Sequence, residues 1–195
     1  TAPAKVTDDG FILSWSNTEN ADSYNIELRQ KSENASAAES LKIEEDFTTW
    51  GKDFKGDGTT DISSQLNTRM KNPGWTGYKV YECPSRIKLG SSKANGYITS
   101  PLISDISSAS VTVRLQSEPY GNDAAETKVS ILDTQDKEVD SKTFDADGSM
   151  ATIVLNNTSG NDYKVKVSPS KRGYIEKISI YDGKFDNADF EDVAS

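Results

Sequence analysis

Trp75, Tyr78 and Tyr81 crowd into the short segment GWTGYKVY, the densest group of aromatic side chains in the sequence. Such residues offer a flat apolar ring and a polar handle, the pairing that stacks on the apolar face of a pyranose and hydrogen-bonds its hydroxyls. Tyr120, in the loop-like EPYGND, is a fourth candidate for ligand contact. Trp and Tyr are also highly buried on average, so burial statistics favour the core for the first three, and a capping role in its loop is the alternative for Tyr120. A second chemistry belongs to the carboxylates. Glu45 falls in register with Leu41, Ile43 and Phe47, and Glu176 with Tyr174, Ile178 and Ile180, so each acid is expected to point inward from an apolar face. A buried carboxylate requires a partner: a Lys or Arg, a wet strand end, or a calcium ion held by oxygen ligands. Asp53, Asp57, Gly58 and Asp61 lack the spacing and terminal Glu of a calcium-binding helix-loop-helix and read as a polar turn. No residue is assigned as a metal ligand, and no cofactor is expected.

Several reaction classes drop out on composition. The chain has no His and one Cys, which removes serine triads, Cys-His pairs and ordinary zinc sites together. Cys83, followed by Pro84, reads as a buried, inert thiol, and a lone Cys forbids an intrachain disulfide. Glycoside hydrolysis by carboxylates alone needs two acids about 5 to 9.5 Å apart across a cleft, and nothing in the pattern singles out two of the 31 acids. The segment GKDFKGDG lacks the Gly-Lys-Ser/Thr ending of a phosphate-cradling loop. With 22 Lys and Arg against 31 Asp and Glu, a net charge of −9 opposes nucleic acid as a partner. No apolar run approaches the ~20 residues of a membrane span. The chain therefore reads as a non-enzyme.

Alternation with a period of two dominates the elements that must position these residues. Phe11, Leu13 and Trp15, then Tyr24, Ile26 and Leu28, predict a hairpin, and QKSENASAAES from Gln30 to Ser40 offers no apolar face and predicts a linker. Further strands are expected at Leu41 to Phe47, Ile87 with Leu89, Tyr97 to Leu102, Val111 to Leu115, Val129 with Ile131, Ile153 with Leu155, Tyr163 to Val167, and Ile178 with Ile180. Polar turns such as Gly121-Asn122-Asp123 and Asp147-Gly148 separate them, and no segment carries a long helical period. Strand after strand without helices predicts an all-β fold of two packed antiparallel sheets, a sandwich or jelly roll.

The opening segment, with Trp15 on a strand and Tyr24 after the Ala21-Asp22 turn, resembles the first strands of a fibronectin type III domain. Further along the chain, the segments EDFTTW, GWTGYKVYE, IKLGSSKANGYITSPLI and YIEKISIYDG together resemble the jelly-roll modules beside or inserted into fibronectin-type domains of bacterial cell-surface proteins, similar to galactose-binding-like and lectin-like jelly rolls. Gly90 and Gly96 suit a hairpin bend within this region. The resemblance implies an antiparallel jelly-roll β-sandwich over 41–184, preceded by a partial fibronectin type III-like unit (1–34) and a linker (35–40), and followed by a tail (185–195) leading to a further segment. It also implies a non-catalytic extracellular or cell-surface binding or adhesion module. A glycan or a surface protein is the implied partner, and a larger multidomain protein the implied context. A structural spacer or protein-protein module is the alternative reading, and a carboxylate-dependent hydrolase the third.

Overall fold

The computed structural model describes residues 40–184, together with the backbone of four short strands outside them. Those four are β1 (Lys5–Thr7), β2 (Gly10–Ile12), β3 (Arg29–Lys31) and, at the far end, β15 (Phe190–Asp192). β1 pairs with β2, and β15 returns to pair antiparallel with β3, Phe190 opposite Lys31. Trp15 and Tyr24, which carry the fibronectin type III resemblance, and most of the 1–34 unit and the 185–195 tail lie outside the described residues.

Two antiparallel sheets form the body. Its strands are β4 (Ser40–Asp46), β5 (Thr76–Tyr78), β6 (Val80–Cys83), β7 (Arg86–Leu89), β8 (Tyr97–Thr99) and β9 (Ser110–Pro119). They continue as β10 (Glu126–Leu132), β11 (Glu138–Asp145), β12 (Met150–Asn156), β13 (Lys164–Pro169) and β14 (Gly173–Asp182). One sheet runs β11-β10-β13-β8-β5; the other runs β12-β9-β14-β7-β6, with β4 also on β14. Successive strands cross repeatedly between the sheets, the jelly-roll connectivity expected from the sequence. β14 is the central strand of the second sheet: its N-terminal end pairs with β7, its C-terminal part with β4, and its other edge with β9.

Alternation explains the interior. Val111, Val113 and Leu115 of β9 and Ile178 and Ile180 of β14 share a core with Val129 and Ile131 of β10 and Val165 and Val167 of β13, each of them fully buried. A short helical turn, η1 (Ser63–Gln65) running into α1 (Leu66–Arg69), drops Leu66 into the same core. Asp61 opens that turn by accepting from the amide and hydroxyl of Ser63 (3.0 and 2.6 Å). Gly90 and Gly96 do not make a hairpin, because β7 and β8 belong to different sheets and the glycines flank a crossing between them.

Candidate functional site

The same kind of crossing divides the aromatic group of GWTGYKVY. β5 lies in one sheet and β6 in the other, and Lys79 between them takes a positive φ of 53° to turn the corner. Trp75, only 1% exposed, sits in the core and presents no ring to solvent. Tyr78 lies on the open face of the first sheet, 47% exposed, its ring 6.2 Å from that of Tyr97 on the paired strand β8. Tyr81 points to the outer face of the second sheet, buried beneath Lys88, whose Nζ is 5.2 Å from the ring. Tyr120 also lies by the second sheet, 5.6 Å from Tyr174, with the Arg172 guanidinium 4.2 Å over its ring. The four sequence candidates thus occupy a core, two sheet faces and a loop, and do not form one platform.

Glu45 points inward, as the register of β4 requires, and is 2% exposed. Its partners are N–H groups. Oε1 accepts from the Asn72 amide (2.8 Å), the Asn72 side chain (2.8 Å) and Trp75 Nε1 (3.1 Å), and Oε2 accepts from the Lys71 amide (2.9 Å). Glu176 does not share that inward face. The β9 register slips between Ile175 and Lys177, Glu176 falls in the bulge, and its side chain, 32% exposed, accepts from Gln116 Nε2 at 2.6 Å. β4 and β14, the first and last strands of the body, do pair, but the two acids are not brought together, and no metal-ligating cluster of acids occurs among the described residues.

A hollow of about 490 Å3 lies between the 54–62 loop and the α1 turn. The loop is stitched to the edge of β6: Gly58 N donates to Glu82 O at 2.9 Å, Ile62 N to Val80 O at 2.8 Å, and Asp61 bridges to Tyr81. A Cβ on Gly58 would stand 2.3 Å from Glu82 O, so only glycine permits this approach. The wall carries Phe54, 42% exposed, beside Thr59, Thr60 and Gln65. Behind them Arg69 is ion-paired with Glu82 and lies over the Trp50 ring at 5.1 Å, while Glu82 Oε1 also accepts from Gly51 N at 2.9 Å. This planar, mutually neutralised pair is rigid and still offers unused N–H edges to a ligand.

Asp57 belongs to the same loop, but its carboxylate turns toward the outer face of the second sheet. It accepts from Tyr174 Oη at 2.7 Å and Lys88 Nζ at 3.2 Å. Partial burial pushes its carboxyl up, and these two hydrogen bonds outweigh that and hold it below the usual carboxylate value. Cys83 lies beneath, fully buried; burial first and the Asp57 charge second push its thiol up to about 11. Asp57 and, further along, Asp61 are thus engaged in internal bonds.

A second hollow, about 340 Å3, opens where the 90–96 crossing meets the turns before β10 and before β14. Lys93, Lys171 and Arg172 meet there with one acid, Asp123.

Phe54, Gln65, Arg69 and Glu82 were not singled out by sequence reasoning. A signal existed for Phe54: an aromatic isolated among Gly, Asp and Lys has no alternating apolar neighbours with which to share a buried face.

The fold defines an antiparallel jelly-roll sandwich as the class of this chain. No protein-family model matches it, and no curated protein sequence matches it. Among solved structures, the chain is similar to the lectin binding domain of lectinolysin complexed with Lewis b, at 14% identity and a TM-score of 0.36, over 52% of this chain and 73% of that one. It is also similar to a 4-O-methyl-α-glucuronidase with specificity for decorated arabinogalactans (12% identity, TM-score 0.41, 76% of this chain and 18% of that one). A third likeness is to a cleaved adhesin domain of the Lys-gingipain of Porphyromonas gingivalis (11% identity, TM-score 0.41, 75% of this chain and 100% of that one).

Proposed function

We propose that the chain is a non-catalytic carbohydrate-binding or adhesion module and that the larger hollow takes the saccharide. The observation that carries this reading is Phe54, an aromatic ring left 42% exposed in the wall of a 490 Å3 hollow that it shares with Ile62 and a few polar side chains. Small-ligand sites are concave, largely apolar, and carry a few fixed polar groups; this hollow falls within their usual ~300 to 1,000 Å3. The Phe54 ring serves as the stacking surface, while Gln65, Thr59, Thr60 and the Arg69–Glu82 pair supply hydrogen bonds to ring hydroxyls. Tyr78, with Tyr97 beside it, is a second surface for an extended glycan. The sequence resemblance supports an extracellular setting within a larger bacterial surface protein.

Binding without turnover is favoured by the state of the two carboxylates at the hollow. Glu82 is ion-paired with Arg69, and Asp57 is bonded to Tyr174 and Lys88 with its carboxyl held low. A glycosidase requires one acid kept protonated near neutrality; a carboxyl held low like that of Asp57 does not supply it, and the Glu82 oxygens are taken by Arg69 and the Gly51 amide. A glycan array read with the wild type and with Phe54→Ala tests the assignment. Loss of one stacking ring lowers affinity by about tenfold, with the melting temperature retained because the ring is half exposed. Undiminished binding by Phe54→Ala would remove the larger hollow as the site, and a blank array would favour the spacer or protein-protein reading.

A further inference from the structure

We propose that the smaller hollow, at the loop end of the sandwich, is a second site that takes an anionic group, a carboxylate or sulfate ester, carried by a saccharide. This rests on the glycan-binding reading and adds the charge class of the ligand.

Charge is the first argument. In a chain of net charge −9 this hollow gathers Lys93, Lys171 and Arg172 against the single acid Asp123. That acid is already engaged: Asp123 accepts from Arg172 Nε at 2.6 Å, Arg172 Nη2 at 3.1 Å and the Arg172 amide at 3.3 Å. Its hydrogen bond from Arg172 holds the carboxyl below its usual value, so it stays charged and coupled to the guanidinium. Lys93 and Lys171 are exposed and have no ion-pair partner among the described residues, whereas Lys79, Lys88 and Lys177 each have one. Among the described residues the lining thus carries two more positive charges than negative ones, with Lys171 acting on the shared Asp123 by charge alone.

Donor geometry is the second argument. Ser91 Oγ accepts from the amides of Lys93 (3.3 Å) and Ala94 (3.2 Å), which leaves its own O–H free to donate into the hollow. Ser92 and Asn95 add a hydroxyl and an amide to the same lining. With the lysines they form a set rich in donors, the complement of an oxyanion.

Rigidity is the third. The Tyr120 amide donates to Arg172 O at 3.0 Å and the Asp123 amide to Tyr120 O at 3.0 Å, which locks the two turns together, and the Tyr120 ring underlies the guanidinium at 4.2 Å. The crossing on the other side is pinched at its base, where a Cβ on Gly96 would stand 2.1 Å from Gly90 N. Tyr120 thereby gains a role as the floor beneath Arg172. A hollow of this size admits one charged group on a soluble chain, and it lacks the extended basic face that nucleic acid or an anionic membrane requires.

The test is calorimetric titration of the full chain with three probes: a neutral galactan oligosaccharide, an oligogalacturonate and a heparin-derived sulfated oligosaccharide, each at low and high salt. At least one acidic probe is expected to bind more tightly than the neutral one and to weaken as salt rises. Lys93→Ala combined with Lys171→Ala is expected to lower acidic-probe affinity by about tenfold, leaving neutral-probe binding and the melting temperature unchanged. The uronate and sulfate arms identify which acid the hollow takes. Acidic-probe affinity within about twofold of wild type in the double variant, or acidic binding insensitive to salt, overturns this proposal while leaving the glycan-binding reading intact. Lysine-dependent binding of phosphatidylserine vesicles in place of the saccharides also overturns it. If no saccharide binds the wild type, the glycan-binding reading falls and this proposal with it.

Discussion

Glu45 offers the sharpest test of how the interior is organised. Its carboxylate is 2% exposed and receives four hydrogen bonds, three on Oε1 and one on Oε2, all from residues between Lys71 and Trp75. Glu45→Ala removes the acceptor from all four donors at once. Trp75 Nε1 is buried and loses its partner outright, at about 1 to 3 kcal/mol, while the three part-buried donors are rehydrated in part at about 0.5 to 1 kcal/mol each. The expected loss is about 3 to 5 kcal/mol, or a fall of about 10 to 15 °C in melting temperature for a body of this size. Glu45→Gln separates charge from shape. Its amide oxygen can take the Oε1 position, but its NH2 then faces the Lys71 N–H, two donors head to head, so about half the loss remains. Urea unfolding followed by tryptophan fluorescence measures both, with Glu44→Gln as a neighbouring control. If Glu45→Gln unfolds within about 0.5 kcal/mol of wild type, the negative charge is not what the clamp requires. If Glu45→Ala does as well, the clamp does not hold the 70–75 segment, and the packing of Trp75 rests on apolar contact alone.

Gly96→Ala forces a Cβ to 2.1 Å from the backbone of Gly90, so it is expected to destabilise by about 3 kcal/mol in urea unfolding; a neutral substitution would mean that the crossing is not pinched. Cys83 makes stability fall as pH rises. Its thiol is raised to about 11 in the folded state, so between about pH 9 and pH 11 the unfolded chain ionises first and about 2 to 3 kcal/mol is lost, with no effect below and no further loss above. Tyr163, pushed up by burial, and Tyr174, pushed up by burial and by Asp57, act in the same direction at the alkaline end. A Cys83→Ala variant should flatten the melting-temperature profile between pH 9 and 11, and an unchanged slope would reject the assignment.

The alternating strands were legible because a half-buried strand writes its two faces into alternate residues. Val111, Val113 and Leu115, or Val165 and Val167, could hardly face anything but the core. β11 left no such trace: Glu138–Asp145 is an edge strand with mostly exposed or half-exposed residues, so its pattern is polar and its existence depends on pairing with β10. The helical turn Ser63–Arg69 is too short to show a period and buries only Leu66. The binding candidates were harder still. Trp75, Tyr78 and Tyr81 are close in sequence, but a spacing of three already puts Tyr78 on the opposite face of a strand from the other two; a positive φ at Lys79, a residue with no compositional signal for it, then sends Tyr81 to the other sheet. Glu45 was correctly placed inward by its register, but its partners come from backbone amides and an indole, which no charge pattern records.

The crossings that defeated the sequence pattern also account for where the smaller hollow lies. A segment passing from one sheet to the other leaves both ladders, so its backbone groups must find partners outside them. The two crossings at this end solve the problem jointly: Gly90 N donates to Lys79 O at 2.8 Å, and Ser91 N to Ala94 O at 2.8 Å. Because the scaffold is made by main-chain bonds, by glycine and by the Ser91 hydroxyl, the side chains of Lys93 and Asn95 are not needed to hold the loop and are free to face a ligand. A strand aromatic such as Trp75 has no such freedom, since its ring fills the space between the sheets. On the reading proposed above, recognition falls to residues such as Phe54 and Lys93, on loops fastened to the sandwich by backbone hydrogen bonds.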